Sequence, residues 1–192
     1  IDEAFFMQTD AVKAATLEGV DAVMTDVPKV CVSVSTADCI PILIYDRVHH
    51  AVAAVHAGWR STVLRISEAV LQAMADAYGT RPQDVEAAIG PGISLEAFEV
   101  GDEVYEAFRM AGFPMEKIAR RYPATGDGSG RMEKWHLDLW QANRGLLEGC
   151  GVPSARIHLA GVCTYLHSER FFSARRLGIR SGRILNGIFL TD

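Results

Sequence analysis

Three strand-length apolar runs crowded into residues 30–56 constrain this chain more than any other feature. Residues 30–35 are rich in β-branched side chains. Residues 40–45 follow, with Pro41 near the start, where a missing amide costs least. Residues 51–56 are almost wholly apolar. Runs that do not alternate suit strands buried on both faces rather than strands with one wet side. The polar residues 46–50 form the turn between the last two. Strands buried on both faces need a packed layer on each side. The expected fold class is therefore α/β or α+β, built as a layered domain with mixed sheets.

The rest of the chain supplies the layers. Ser61 reads as the N-cap of a helix running to Tyr78, with Gly79 as its stop. Val63, Ile66, Val70, Met74 and Ala77 recur at three- and four-residue steps, which predicts one buried face. Val85–Ile89 reads as another buried strand, ended by the turn Gly90-Pro91-Gly92. A helix is expected from Gly101 to Met110. A loop rich in small and polar residues spans 123–132. A third helix covers 136–148, stopped by Gly149, and short strands fall at 157–161 and 183–190. No repeat and no linker divides the 192 residues, so a single domain is expected.

Composition narrows the function. No run approaches the roughly 18 to 20 apolar residues of a membrane span. Net charge is −5 and no basic tract follows a phosphate backbone, which argues against membrane and nucleic-acid partners. The four cysteines are widely and irregularly spaced, so reduced thiols are expected. No secretion signal is visible, and cytoplasm is the expected location. The first residue is Ile1, and the sequence reads as part of a longer chain.

Two constellations could carry chemistry. Thr36-Ala37-Asp38-Cys39 lies at the turn between two apolar strands. His56-Ala57-Gly58-Trp59-Arg60 leaves a buried strand for a helix start, a junction suited to anions because free amides point outward there. If residues 40–45 and 51–56 pair antiparallel, the start of one lies beside the end of the other, bringing Cys39 to His56. A thiolate beside an imidazole suits zinc or copper with a further ligand. The same pair suits a Cys–His nucleophile. Each residue also has a plainer reading: Cys39 as a buried apolar filler, and Asp38 as a turn stabiliser rather than a proton carrier. His49, His50 and His158 read as structural or solvated, and His136 as a helix-opening residue facing water. A third stretch pairs Cys163-Thr164 with Phe171-Phe172-Ser173-Ala174-Arg175-Arg176, whose twin arginines can grip a phosphate or carboxylate.

Taken together and in order, T-A-D-C at 36–39, H-A-G-W-R at 56–60, I-G-P-G-I at 89–93, F-E-V-G at 98–101, C-T at 163–164 and F-F-S-A-R-R at 171–176 resemble the laccase-domain family. That family was long labelled multicopper polyphenol oxidases, and its members are now regarded as purine nucleoside phosphorylases with adenosine deaminase activity. The resemblance runs from about Gln8 to the C-terminus, and the start of the family domain is expected to lie outside this sequence. It implies a layered α/β/β/α fold and one zinc, or copper, held by His, Cys and His. Cys39 and His56 carry over as metal ligands. The third is expected in a Q-x-H motif, where Gln8-Thr9-Asp10 puts Asp10. Cys39 and His56 are the catalytic candidates, and Asp38 is the candidate acid or base that shuttles protons in deamination. Arg60, Arg175 and Arg176 are the candidates for holding phosphate. The implied substrates are adenosine, inosine and methylthioadenosine, and the implied assembly is a monomer or homodimer. A copper oxidase fits the residues poorly, since six histidines with no H-x-H pair do not readily supply a multi-His cluster. Two rival functions stay open beside the phosphorylase: a metal-independent cysteine hydrolase and a metal-containing interaction domain.

Overall fold

A computed structural model describes residues 1, 8, 16–124 and 133–191. The three apolar runs form the strands expected of them. β1 (Ala22–Thr25) and β2 (Cys31–Thr36) precede β3 (Ile40–Asp46) and β4 (Ala51–Ala57). Then come α1 (Trp59–Val63), α2 (Ile66–Tyr78), β5 (Val85–Ile89), β6 (Glu99–Val100), α3 (Asp102–Met110), α4 (Met115–Ile118) and β7 (Ala119–Pro123). β8 (Glu133–Leu137), α5 (Leu139–Gly149), β9 (Ile157–Leu159), α6 (Ala174–Leu177) and β10 (Ile184–Phe189) complete the described chain.

A five-stranded sheet has the order β1-β4-β3-β5-β9. It is antiparallel except for the parallel pair β5–β9. β2 and β10 make a second, two-stranded sheet, and β6-β8-β7 a third. Alternation along the central strands explains why they contain no polar stripe. Ile40, Ile42 and Ile44 of β3 and Ala51, Ala53 and Val55 of β4 join a core with α2 and α5. Val52 and Ala54 point the other way, onto Val32, Val34 and Leu190. Helices thus cover one face of the large sheet and the small sheet covers the other. This is the mixed, layered α/β fold that the sequence predicts. A fourth, helical layer is not among the described residues. No described helix is long and apolar enough to cross a membrane.

Two local expectations fail for physical reasons. The single helix from Ser61 is instead two. Gly58 is the N-cap of α1, and Arg65 takes a left-handed conformation with φ 60° before α2 begins. Ser61 does not cap a helix, because its hydroxyl donates to Asp21. The break is held by the wholly buried Asn143 of α5. Its amide donates to Thr62 Oγ1 at 3.1 Å, and its oxygen accepts from Ser67 Oγ at 3.3 Å. Gly79 does stop α2, with φ 75°. The second failure is His136. It lies in β8, paired between β6 and β7, and is buried, while Asp138 caps α5 by accepting from the Gln141 amide. Cross-strand pairing there outweighs the helical reading, and the ring bonds the Leu95 carbonyl instead of water. Of the expected loop, residues 125–132 lie outside the described residues.

Replacing Asn143 with Ala strands the hydroxyls of Thr62 and Ser67 in the core. Leaving buried polar groups unpaired costs about 1–3 kcal/mol. The urea midpoint is expected to fall accordingly, with an unchanged slope.

Candidate functional site

The register of three strands builds the site. β3 pairs β4 with Pro41 opposite His56, and β1 pairs β4 with Ala22 opposite Val55. One step further, the His56 amide donates to the Asp21 carbonyl at 2.7 Å, so Asp21 lies across from His56 on its other flank. Directly opposed residues share a face. Asp21, His56 and Pro41 therefore form one row, on the side of the sheet that carries Val52 and Ala54. Cys39 ends the adjoining turn.

Cys39 and His56 do meet. A Cβ placed on Gly58 would lie 3.3 Å from Cys39 Sγ, 3.7 Å from His56 Cε1 and 3.9 Å from His56 Nε2. Gly58 leaves the space in which sulfur and ring converge. The other ring nitrogen, Nδ1, is 2.9 Å from Asp21 Oδ1, and Ser61 donates to the second Asp21 oxygen. This carboxylate–imidazole pair fixes the ring with Nε2 turned to the sulfur side. The interaction with Cys39 raises the His56 pKa to about 9. Burial opposes that rise and Asp21 reinforces it. Burial would push the Asp21 carboxyl up, yet the bonds from Ser61 and His56 hold it below its usual value.

The turn carrying Cys39 is held from behind. Asp38 has φ 81°, and its carbonyl accepts from the Ile93 amide at 2.9 Å. A Cβ on Gly92 would collide with Ile40 Cδ1 and come within 3.1 Å of the Asp38 carbonyl, so the Gly90-Pro91-Gly92 turn lies directly against this segment. Both carboxylate oxygens of Asp38 are taken. Thr164 Oγ1 donates to one and the Arg175 backbone amide to the other, each at 2.7 Å. That geometry favours the turn-holding role for Asp38, which tethers the Phe171–Arg176 stretch beside Cys39. Cys163 is buried and accepts from the Ser94 amide, an arrangement of structure rather than chemistry.

The three arginines each rest on an aromatic ring. Arg60 lies 4.2 Å over Trp59, Arg175 5.7 Å over Phe98 and Arg176 5.1 Å over Tyr165. Arg175 also donates to the Glu99 carbonyl. All three residues are exposed, and their guanidinium groups go to separate platforms rather than to one clamp. Asp10 lies outside the described residues. Among the described residues, no three His, Cys, Asp or Glu gather as a metal-holding group. The donor set present, one thiol and one oriented imidazole, fits two positions around a zinc or copper ion. His49 bonds Asp46, and His158 bonds Glu86, as the structural reading expects. Sequence reasoning missed Asp21 and the anchoring of Gly92. The polar residue just before a strand that pairs with residues 51–56 is the signal that could have found Asp21.

Fold and site define a layered α/β protein with a Cys–His centre beside an arginine-bearing loop. Residues 3–191 match the family described as multi-copper polyphenol oxidoreductase laccase, and the chain belongs to that laccase-domain family. A purine nucleoside phosphorylase of Bacteroides thetaiotaomicron is 50% identical over 190 residues, covering 99% of this chain and 68% of that protein. Adenosine deaminase RL5, from an unknown prokaryotic organism, is 46% identical over 98% of this chain and 69% of its own length. A hypothetical protein, YfiH, of Bacillus licheniformis superposes with a TM-score of 0.79 at 31% identity, over 89% of this chain and 61% of that one. This chain therefore spans about two thirds of the length of these relatives.

In the metal-free protein, His56 is expected to titrate near pH 9 by NMR. A histidine with a raised pKa stabilises the fold fully below its ordinary value of 6.5 and loses that contribution as pH rises through 9. Metal-free stability is expected to decline across that window. Cys39→Ala should flatten the decline and bring the His56 titration down.

Proposed function

We propose that this chain carries the centre of a metal-dependent purine nucleoside phosphorylase that also deaminates adenosine. The reading rests chiefly on one observation: Cys39 Sγ and the His56 ring converge beside Gly58, with the arginine stretch tethered next to them through Asp38. The identities of the similar proteins support it. The substrates are adenosine, inosine and methylthioadenosine, with phosphate as co-substrate.

In phosphorolysis, a phosphate oxygen bonds to the anomeric carbon as the glycosidic bond to the purine breaks. Positive charge develops on the sugar and negative charge on the departing base. Arg60, Arg175 and Arg176, each on its own aromatic platform, are the cations available to draw the phosphate dianion toward the sugar. Their aromatic platforms keep the planar cations in place; Arg175 spends one N–H on the Glu99 carbonyl and Arg176 one on the Tyr165 hydroxyl, which leaves their other N–H groups for the anion. Asp38 sets the position of that loop through the Arg175 amide. Cys39, His56 and Asp10 are the residues that would hold zinc or copper. Such an ion would supply Lewis acidity for base departure and would lower the pKa of a water for deamination. Asp21 and Ser61 orient His56 for that task.

A second reading is favoured by the same row of groups. Asp21, His56 and Cys39 stand in the order orienter, base and nucleophile, which suits a metal-independent cysteine hydrolase.

Product analysis separates these readings. Incubation with adenosine and phosphate is expected to give adenine and ribose 1-phosphate, with inosine as the deamination product. Cys39→Ala should lose both the bound metal and turnover. Full nucleoside turnover by a metal-free Cys39→Ala protein would eliminate the proposal, and alkylation of Cys39 without metal loss would favour the hydrolase. Asp21→Ala is expected to weaken metal binding by about 10- to 100-fold, the usual effect of losing such a partner, as read by competition with a chromogenic chelator.

A further inference from the structure

Thr164 joins three segments that lie far apart in sequence. It follows the parallel bridge between Cys163 and Gly92, and its amide donates to the Gly92 carbonyl at 2.9 Å. Its hydroxyl donates to Asp38 Oδ1 at 2.7 Å, and Asp38 Oδ2 accepts from the Arg175 amide at 2.7 Å. Thr164 is wholly buried and Asp38 is 8% exposed, so the bridge is shielded from water. Asp38 has φ 81°, a left-handed conformation unfavourable for a residue with a Cβ. The two bonds to its carboxylate and one from the Ile93 amide to its carbonyl hold it there. The bond to Arg175 is made to backbone, so it fixes where the loop runs and leaves the guanidinium free of the carboxylate. The next amide is occupied too, since Ser173 Oγ accepts from Arg176 at 3.1 Å. An anion beside these two residues therefore meets side-chain donors, not amides. Exposed contacts to the Glu99 carbonyl and the Tyr165 hydroxyl hold the far ends of those side chains, and the buried bridge holds the near end.

We propose that Thr164 is a positioning residue for phosphorolysis. Acting through Asp38, it holds the Arg175–Arg176 backbone where the two guanidinium groups reach phosphate, and so sets the balance between phosphorolysis and deamination. In the nucleoside reading above, on which this rests, the two reactions make different demands. Phosphorolysis exchanges the bond from the anomeric carbon to the purine nitrogen for a bond to a phosphate oxygen, and the purine takes up a proton. Deamination exchanges the amino group of the base for the oxygen of water and releases ammonia. Both draw on Cys39 and His56, and only the first draws on the cations of the loop. The Cys39 side of the turn has holds of its own: the Ile93 amide on the Asp38 carbonyl, and the Gly92 turn pressed against Ile40. Without the Thr164 hydroxyl, Asp38 Oδ1 loses its donor and the carboxylate is free to turn away from Arg175, while those holds remain. The loop then loosens more than the turn that carries Cys39.

The test uses the metal-loaded protein with Thr164→Val, which has nearly the same shape, and Thr164→Ser, which keeps the hydroxyl. Binding of inorganic phosphate is read by phosphorus NMR titration. Initial rates of adenine and inosine formation from adenosine are read at subsaturating phosphate. Thr164→Val should bind phosphate roughly ten-fold more weakly, in keeping with one lost hydrogen bond to a charged group, and lower the ratio of adenine to inosine by a similar factor. Thr164→Ser should restore both. Thermal melts and metal retention against a chelator check that the variants are intact. Thr164→Ala, which leaves room for water beside the carboxylate, decides the matter if Thr164→Val does not fold. Unchanged phosphate affinity in the folded variants, an equal fall in both rates, or no phosphate binding by the wild type overturns the proposal. Weakened phosphate binding that serine restores, in a protein that cleaves no nucleoside, upholds the positioning role and instead defeats the catalytic reading.

Discussion

The antiparallel register of β1, β4 and β3 is the constraint on which the rest depends. It sets Asp21, His56 and Pro41 in one row and delivers Cys39 at the adjoining turn. A slip of one residue in β4 would turn His56 toward the helices and bring an alanine to the site face. The register is secured by burial on both sides. Ile40, Ile42 and Ile44 are enclosed by helices, and Val52 and Ala54 by the small sheet. The fold thus places His56 on a central strand of the large sheet, buried on both sides, with Cys39 at the turn that leads into its neighbour.

Close packing at two glycines turns that register into a site. Gly58 keeps open the space between sulfur and ring, and Gly92 lets the 90–93 turn press against the carbonyls of Asp38 and Cys39. A third contact, from Asp38 to the Arg175 amide, ties the C-terminal arginine loop to the same turn across 137 residues of sequence. Cys39, His56 and the Arg175–Arg176 segment are therefore neighbours of a single structural element, the turn that ends β2. The broken helix belongs to the same design. Ser61 must reach Asp21 while Ser67 reaches Asn143, and Arg65 absorbs the change of direction between them.

The three apolar runs were legible because burial on both faces leaves a periodicity visible in sequence. The meeting of Cys39 and His56 followed from the hairpin they bound. Asp21 was not legible. β1 is only four residues long, and nothing local distinguishes its preceding aspartate from a turn residue. His136 misled because W-H-L-D-L-W carries helix-forming leucines, while its strand pairing with β6 and β7 depends on partners 16 to 37 residues away. Ser61 misled for a similar reason: serine before an apolar periodic stretch signals a cap, and only the tertiary neighbour Asp21 competes for its hydroxyl. Local chemistry was readable, whereas side chains recruited across strands were not.

X-ray absorption at the metal edge of the purified, metal-loaded protein tests the central claim most directly, because it reads the atoms around the ion without reference to activity. The account predicts one sulfur at about 2.3 Å together with nitrogen or oxygen at about 2.0–2.2 Å. The sulfur should vanish in Cys39→Ala. A first shell of nitrogen and oxygen alone, unchanged by that substitution, would contradict the convergence of Cys39 and His56 on one ion.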